Sequence, residues 1–389
     1  MKIGETIYLD AQATNPVDSR VLAEMMPYFR ENFGNPHSSD HIIGWEASKA
    51  IDSAAVKVGK LISADSDEII FTSGATEANN LGLLGLAKRG IGGSRQKILV
   101  SEIEHKSIFA ICEVLENQLG FEVVFVPVDQ EGFIDIQKLE ELVNEDVYIV
   151  SIMAVNNEIG TIQDIQVISR IVGDAGAFFH CDAAQAPLAM DMQEFSNFVD
   201  LLSLSGHKIC GPQGIGALYI RRDIKDKIEP IIYGGGQQES LRSGTLPVPL
   251  CVGIGSAAEH IGSPNELERC ELLTRRNKFL KGLMQLPWEI KLNGPKGEKR
   301  HPGNINICFK GYDAHEILNS LQPHIAASTG SACTTGFFEP SHVLAAIGLS
   351  KEDAESSIRF SFGNLTSDQD IDEALKLIEK VLSRLHTRN

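Results

Sequence analysis

The chain is short of several things, and each shortage narrows what it can be. Basic residues are outnumbered, 35 Lys and Arg against 52 Asp and Glu, for a formal charge of −17. That balance repels phosphate backbones and argues against direct nucleic-acid binding. No apolar stretch reaches membrane-spanning length, and the opening residues MKIGETIYLD lack the basic and apolar regions of a secretory signal. The expected setting is therefore cytoplasmic, with no membrane partner. The cysteines at 112, 181, 210, 251, 270, 308 and 333 form no C-x-x-C pair and no cluster, which reads as reduced thiols rather than a disulfide framework. No G-K-[ST] follows the small-residue turn at 73–76, so a nucleoside-triphosphate loop is excluded there. Repeats and low-complexity segments are missing as well.

What remains is an ordinary globular composition, 43% hydrophobic over 389 residues. From about residue 68, short apolar runs alternate with longer helix-like segments. Candidate strands cover 68–73, 97–102, 122–128, 147–155, 177–183, 200–206 and 216–222. Several are near-continuous in Val, Ile, Leu and Phe, as strands covered on both faces must be. Alternation of strand and helix predicts an α/β fold with a mostly parallel seven-stranded sheet, and such sheets gather functional groups at their strand carboxyl ends. The composition changes near 255–265. The spacing beyond it predicts short strands at 305–309 and 357–362 and a terminal helix opened by a Thr366/Gln369 capping box. The expected division is a large cofactor-binding α/β domain over 17–265 and a smaller α+β domain formed by 1–16 with 266–389.

Polar residues at the ends of the apolar runs point to chemistry. Lys208 closes the run 199–204 in Ser205-Gly206-His207-Lys208, ahead of the Gly-rich turn 211–216. Desolvation at a strand end disfavours the ammonium and prepares an amine for nucleophilic and proton-transfer work; a lysine that merely emerges into solvent is the common alternative. Gly74, Ala75 and Thr76 stand where a strand gives way to a helix, a place where free amides can receive a phosphate. Asp182 and Gln185 follow the apolar GAFF, so a carboxylate sits where a strand leaves the core and calls for a cationic partner, unless it is a helix cap. His105 ends another strand and suits ring stacking or proton transfer, whereas His180 reads as a satisfied core histidine. Ile358, Phe360 and Phe362 alternate with Arg359, which turns the guanidinium away from the apolar face, either as a carboxylate clamp or as a solvated edge residue. Cys333 lies in STGSACTTGFF, a loop-forming stretch, and an exposed loop thiol is a liability unless it reacts. An amine, a carboxylate for a pyridinium nitrogen and a phosphate cradle together match pyridoxal 5′-phosphate.

The motifs YLDAQATNP (8–16), FGNPHS (33–38), SGATEANN (73–80), EHKS (104–107), VNNEIG (155–160), DAAQA (182–186), SGHKICGPQGIGALY (205–219), RSGTLPVP (242–249), GSACTTGFFEPSHVL (330–344) and IRFSFG (358–363) occur in this order. In them the chain resembles the cysteine desulfurases of the nitrogen-fixation and iron–sulfur-assembly type, within fold-type I pyridoxal-phosphate enzymes. The resemblance implies that Lys208 holds the cofactor and moves the substrate's Cα proton. It further implies Asp182 at the pyridine nitrogen, Gln185 at the ring hydroxyl and His105 stacked on the ring. Ala75, Thr76, Ser205 and His207 would bind the phosphate, with Thr245 arriving from the second subunit of a homodimer. Asn156 and Arg359 would hold the carboxylate of L-cysteine, with Asn35 nearby, and Cys333 would take the sulfur as a persulfide and pass it to a protein acceptor. Iron–sulfur assembly, tRNA thiolation and DNA sulfur modification are the pathways that the resemblance allows. Gln238 and Glu239 stand where the family often has a Glu-Arg pair, which alters charge near the implied subunit interface.

Overall fold

The computed structural model describes residues 1–262, 266–330 and 341–387. All seven expected strands form one sheet, in the order Ile69–Thr72, Gly216–Ile220, Leu201–Ser205, Phe178–Asp182, Val147–Ser151, Lys97–Ser101 and Glu122–Val126. Gly216–Ile220 runs antiparallel to both neighbours, and every other pair is parallel.

Period-two alternation within these runs feeds two apolar layers. Leu99, Val150, Phe179, Leu202, Ala217 and Tyr219 point to one face. Ile98, Val100, Ile149, Leu201, Leu218 and Ile220 point to the other. The first layer is closed by helices Ile42–Ile62 and Val248–Gly262, which meet through Ala54 and Gly255. A Cβ on Gly255 would lie 2.8 Å from the Ala54 Cα, so the two backbones could not stay this close with a larger residue. Helix Ala75–Gly90 closes the opposite layer.

A second antiparallel sheet orders Ile290–Leu292, Asn304–Phe309 and Ser357–Ser361. Its core takes in the terminal helix Asp368–His386 and also Ile7 and Leu9 from the start of the chain. Two expectations change in detail. The apolar run 147–155 stops being a strand at Ser151, because Met153 and Val155 beyond it belong to the wall of a cavity. The terminal helix is capped one residue later than expected: Ser367 Oγ accepts from the Asp370 amide at 3.1 Å, and Asp370 Oδ2 accepts from the Ser367 amide at 2.8 Å. Thr366 instead accepts from the Gly363 amide.

Candidate active site

A cavity of about 650 Å³ opens at the carboxyl ends of the central strands, and most of the singled-out residues line it. Lys208 reaches it from the short 3-10 turn Gly206–Ile209, directly after the fully buried strand Leu201–Ser205. Its Nζ donates to the carbonyl oxygens of Gln12 at 2.5 Å and Ala13 at 2.7 Å. Burial and then the Arg359 charge lower its pKa to about 8, against the opposing carboxylates of Asp10 and Asp182. This lysine is mostly enclosed and does not emerge into bulk solvent.

Asp182 ends its strand buried. Oδ2 accepts from Asn79 Nδ2 at 2.8 Å, and Oδ1 accepts from the Ala184 amide at 2.9 Å. No helix starts there, so the cap alternative falls away. Gln185 lines the same wall and donates to the Gln12 carbonyl at 3.0 Å.

The anion cradle is the start of helix Ala75–Gly90, where Gly74 caps without a side-chain hydrogen bond and leaves amides available. Ala75, Thr76, Ser205 and His207 all border it. Glu77 in the first turn could repel a phosphate, but Arg242 Nε donates to it at 2.8 Å and the Ser73 amide does so at the same distance. Burial works to raise the Glu77 pKa, and these hydrogen bonds outweigh it, so the net shift is downward. Burial and the Lys208 charge depress His207 to about 4, which leaves a neutral ring whose Nδ1 lies 3.1 Å from Thr14 Oγ1. Gly216 packs beneath the cradle: a Cβ there would lie 2.6 Å from the Gly74 Cα.

His105 caps helix Lys106–Asn117, its Nδ1 accepting from the Ser107 amide at 3.2 Å, and presents its ring to the cavity. Enclosure lowers its pKa; Asp182 opposes the shift and Lys208 adds to it. Arg359 is buried: Nη2 donates to Asp10 Oδ1 at 2.7 Å and Ser328 Oγ at 3.0 Å, Nη1 to the Asn157 carbonyl, and Nε has no partner among the described residues. It is a cavity residue, not an edge residue. His180 is the satisfied core histidine expected, 2.8 Å from Ser151 Oγ and held near pKa 4 by burial.

Three expected contacts do not assemble within the chain. Asn156 is fully buried with its side chain committed to backbone, Nδ2 donating to the Ile103 carbonyl and Oδ1 accepting from the Glu158 and Ile159 amides, so Val155 and Asn157 face the cavity instead. Asn35 caps the His37 amide at the surface, away from the cavity. Thr245 is exposed and also lies off this wall. Cys333 lies outside the described residues; at the near ends of that stretch, Gly330 borders the cavity and Ser341 Oγ donates to Glu158 Oε2 at 2.5 Å. Of the other cysteines, Cys112 and Cys251 are buried, with thiols pushed up to about 12. Cys270 is exposed and Cys210 half-buried.

Sequence reasoning passed over Asn79, Glu104 and Gln12. Each is a polar residue inside one of the quoted motifs and each is buried at the cavity wall. Together, a desolvated amine, a buried carboxylate with its second oxygen fixed, and an uncapped helix start fit pyridoxal phosphate. Among the described residues no group of His, Cys, Asp and Glu is arranged to hold a metal.

Comparison with known proteins agrees. The family model Aminotransferase class-V matches residues 7–374. The Rickettsia felis protein named cysteine desulfurase IscS is 44% identical over 381 residues, covering 97% of this chain and 92% of that protein. A solved NIFS-like protein superposes with a TM-score of 0.90 at 36% identity, covering 97% of this chain and 99% of its own. A structure titled SspA in complex with cysteine gives a TM-score of 0.80 at 36% identity over 91% of this chain and 98% of its own.

Proposed function

The chain belongs to the class-V aminotransferase family, as one of its cysteine desulfurases, and from that premise we propose how its residues take sulfur from L-cysteine and leave L-alanine. The observation that carries the reading is the Lys208 amine, depressed to about pKa 8 in a cavity it shares with Asp182 and Arg359.

Bound pyridoxal phosphate supplies an electron sink that acidifies the substrate Cα–H. Asp182 keeps a proton on the ring nitrogen, and Asn79 fixes the carboxylate that does so. The helix start at Ala75 and Thr76, with Ser205 and neutral His207, holds the phosphate. Arg359 receives the substrate carboxylate, oriented by Asp10. Lys208 takes the Cα proton and restores it to Cα before alanine leaves, and the proton given up by the Cys333 thiol ends on the substrate Cβ, with His105 placed to carry it. The Cys333 thiolate attacks the substrate sulfur: a new S–S bond forms on Cys333, the Cβ–S bond breaks, and alanine leaves. The Cys333 persulfide then passes its outer sulfur to a protein acceptor for iron–sulfur cluster assembly.

The separate apolar cores support a division into 17–265 and 1–16 with 266–389. Phe33, Trp45 and Tyr233, each more than half exposed, support a homodimer, in which Thr245 and Asn35 would reach the partner's cavity. No described helix is long and apolar enough to cross a membrane, which accords with a cytoplasmic enzyme.

Purified protein should be yellow, borohydride should bleach it, and the peptide containing Lys208 should then carry the mass of the reduced cofactor. A colourless protein that refuses added cofactor contradicts the reading.

A further inference from the structure

Gln12 is almost fully buried and lines the cavity, and its side-chain nitrogen, itself shielded from solvent, has no hydrogen-bond partner among the described residues. Burying an amide donor unpaired is costly, so the site calls for an acceptor from whatever enters. The amide cannot turn over to relieve itself. Arg300 Nη1 donates to Asn304 Oδ1 at 2.7 Å, which forces Asn304 to present Nδ2, and that nitrogen donates to Gln12 Oε1 at 2.5 Å. Arg300 has no acceptor capacity, so this relay fixes which end of Gln12 stays open.

Its neighbours identify the acceptor. The Gln12 carbonyl lies 2.5 Å from Lys208 Nζ, the amine that meets substrate. The Gln12 backbone N–H donates to Ser361 Oγ at 2.9 Å, and Ser361 shares a strand face with Arg359, two residues or about 6.6 Å away. Gln12 thus stands between the reacting amine and the guanidinium. In an α-amino acid the group between the Cα and such a guanidinium is the carboxylate. Resting on the desulfurase reading above, we propose that Gln12 Nε2 is a substrate-binding donor to the α-carboxylate of L-cysteine, oriented by the Arg300–Asn304 relay.

The test uses holoenzyme of wild type, Gln12→Met and Gln12→Glu with L-cysteine as substrate and L-alanine as a competing ligand. Gln12→Met removes the donor at nearly constant volume and should raise KM and the L-alanine inhibition constant about tenfold or more, the loss expected of a hydrogen bond to a charged group. kcat should change far less. Gln12→Glu keeps the acceptor for Asn304 but turns an oxygen toward the carboxylate, and should raise both constants further. Cofactor affinity and the visible absorption maximum should stay put in both variants. Unchanged KM in both overturns the proposal, as does a shifted absorption maximum at constant KM, which would place the donor on the cofactor ring. A wild-type protein without colour or sulfide release would instead sink the desulfurase reading itself.

Discussion

Glu104 and Asp182 are two buried carboxyl groups in one cavity wall, and only Asp182 has a partner for each oxygen. Glu104 Oε1 accepts from the Met153 amide at 2.5 Å, and Oε2 has no partner among the described residues. Burial, reinforced by the Asp182 charge, raises the Glu104 pKa well above its ordinary value of 4.5. Native Glu104 therefore favours the neutral acid more strongly than a free glutamate does, which limits a second negative charge beside the one that serves the ring nitrogen.

A stability profile follows with a definite sign. Below about pH 4, Glu104 is protonated in both native and unfolded chains and contributes no pH dependence. As pH rises through the ordinary glutamate range the unfolded chain ionises ahead of the native one, so native stability declines. Glu104→Gln mimics the neutral acid and cannot ionise. Its Tm should match wild type near about pH 4 and exceed it near about pH 8. A lower Tm at the higher pH would mean that Glu104 is ionised and paired.

Capture of the cofactor should follow the free amine of Lys208. With its pKa lowered to about 8, the rate at which cofactor-free protein takes up pyridoxal phosphate should rise with pH and level off above that midpoint. Stopped-flow absorbance measures it. A midpoint near the ordinary lysine value would show that burial and Arg359 do not act on this amine.

Asp182→Asn keeps the shape and one acceptor oxygen, for Asn79, gives up the bond from the Ala184 amide, and removes the charge that holds a proton on the ring. Activity should fall on the order of 10²–10³-fold, the size expected for one preorganised electrostatic contact. The protein should still fold, with Tm lowered by the lost Ala184 bond and far less affected than activity. A loss below tenfold would move the ring nitrogen's partner elsewhere.

Gly216→Ala places a Cβ 2.6 Å from backbone atoms of Gly74 and from the Leu204 carbonyl. Backbone cannot yield as a side-chain tip does, so the change should cost about 1–3 kcal/mol and weaken cofactor binding by displacing the cradle. Gly173→Ala, near the end of helix Ile165–Asp174 with open space around it, is the control and should be neutral or slightly stabilising. Equal Tm and cofactor affinity in both would contradict the close approach.

Lys208 and Asp182 were legible in the sequence because a charge at the end of an apolar run stands out against its neighbours. Six of the seven strands were legible for the same reason, being largely buried on both faces, and the half-exposed edge strand Glu122–Val126 showed only as a Val-rich run. Strand direction was not: Gly216–Ile220 reads like any other buried run, and only its hydrogen-bonding partners make it antiparallel. The partners of the site were equally hidden, since Asn79 meets Asp182 across 103 residues and Arg359 meets Asp10 across 349. Asn156 shows the reverse. Its motif gave the residue, but the local turn took the side chain.

The most direct measurement counts alanine and sulfide released from L-cysteine in the presence of a thiol reductant, in wild type and in Cys333→Ser. Wild type should release the two in equal amounts, and the variant should lose nearly all of both while keeping its colour. Full alanine and sulfide release by the coloured variant would contradict the account, because sulfur would then leave without Cys333.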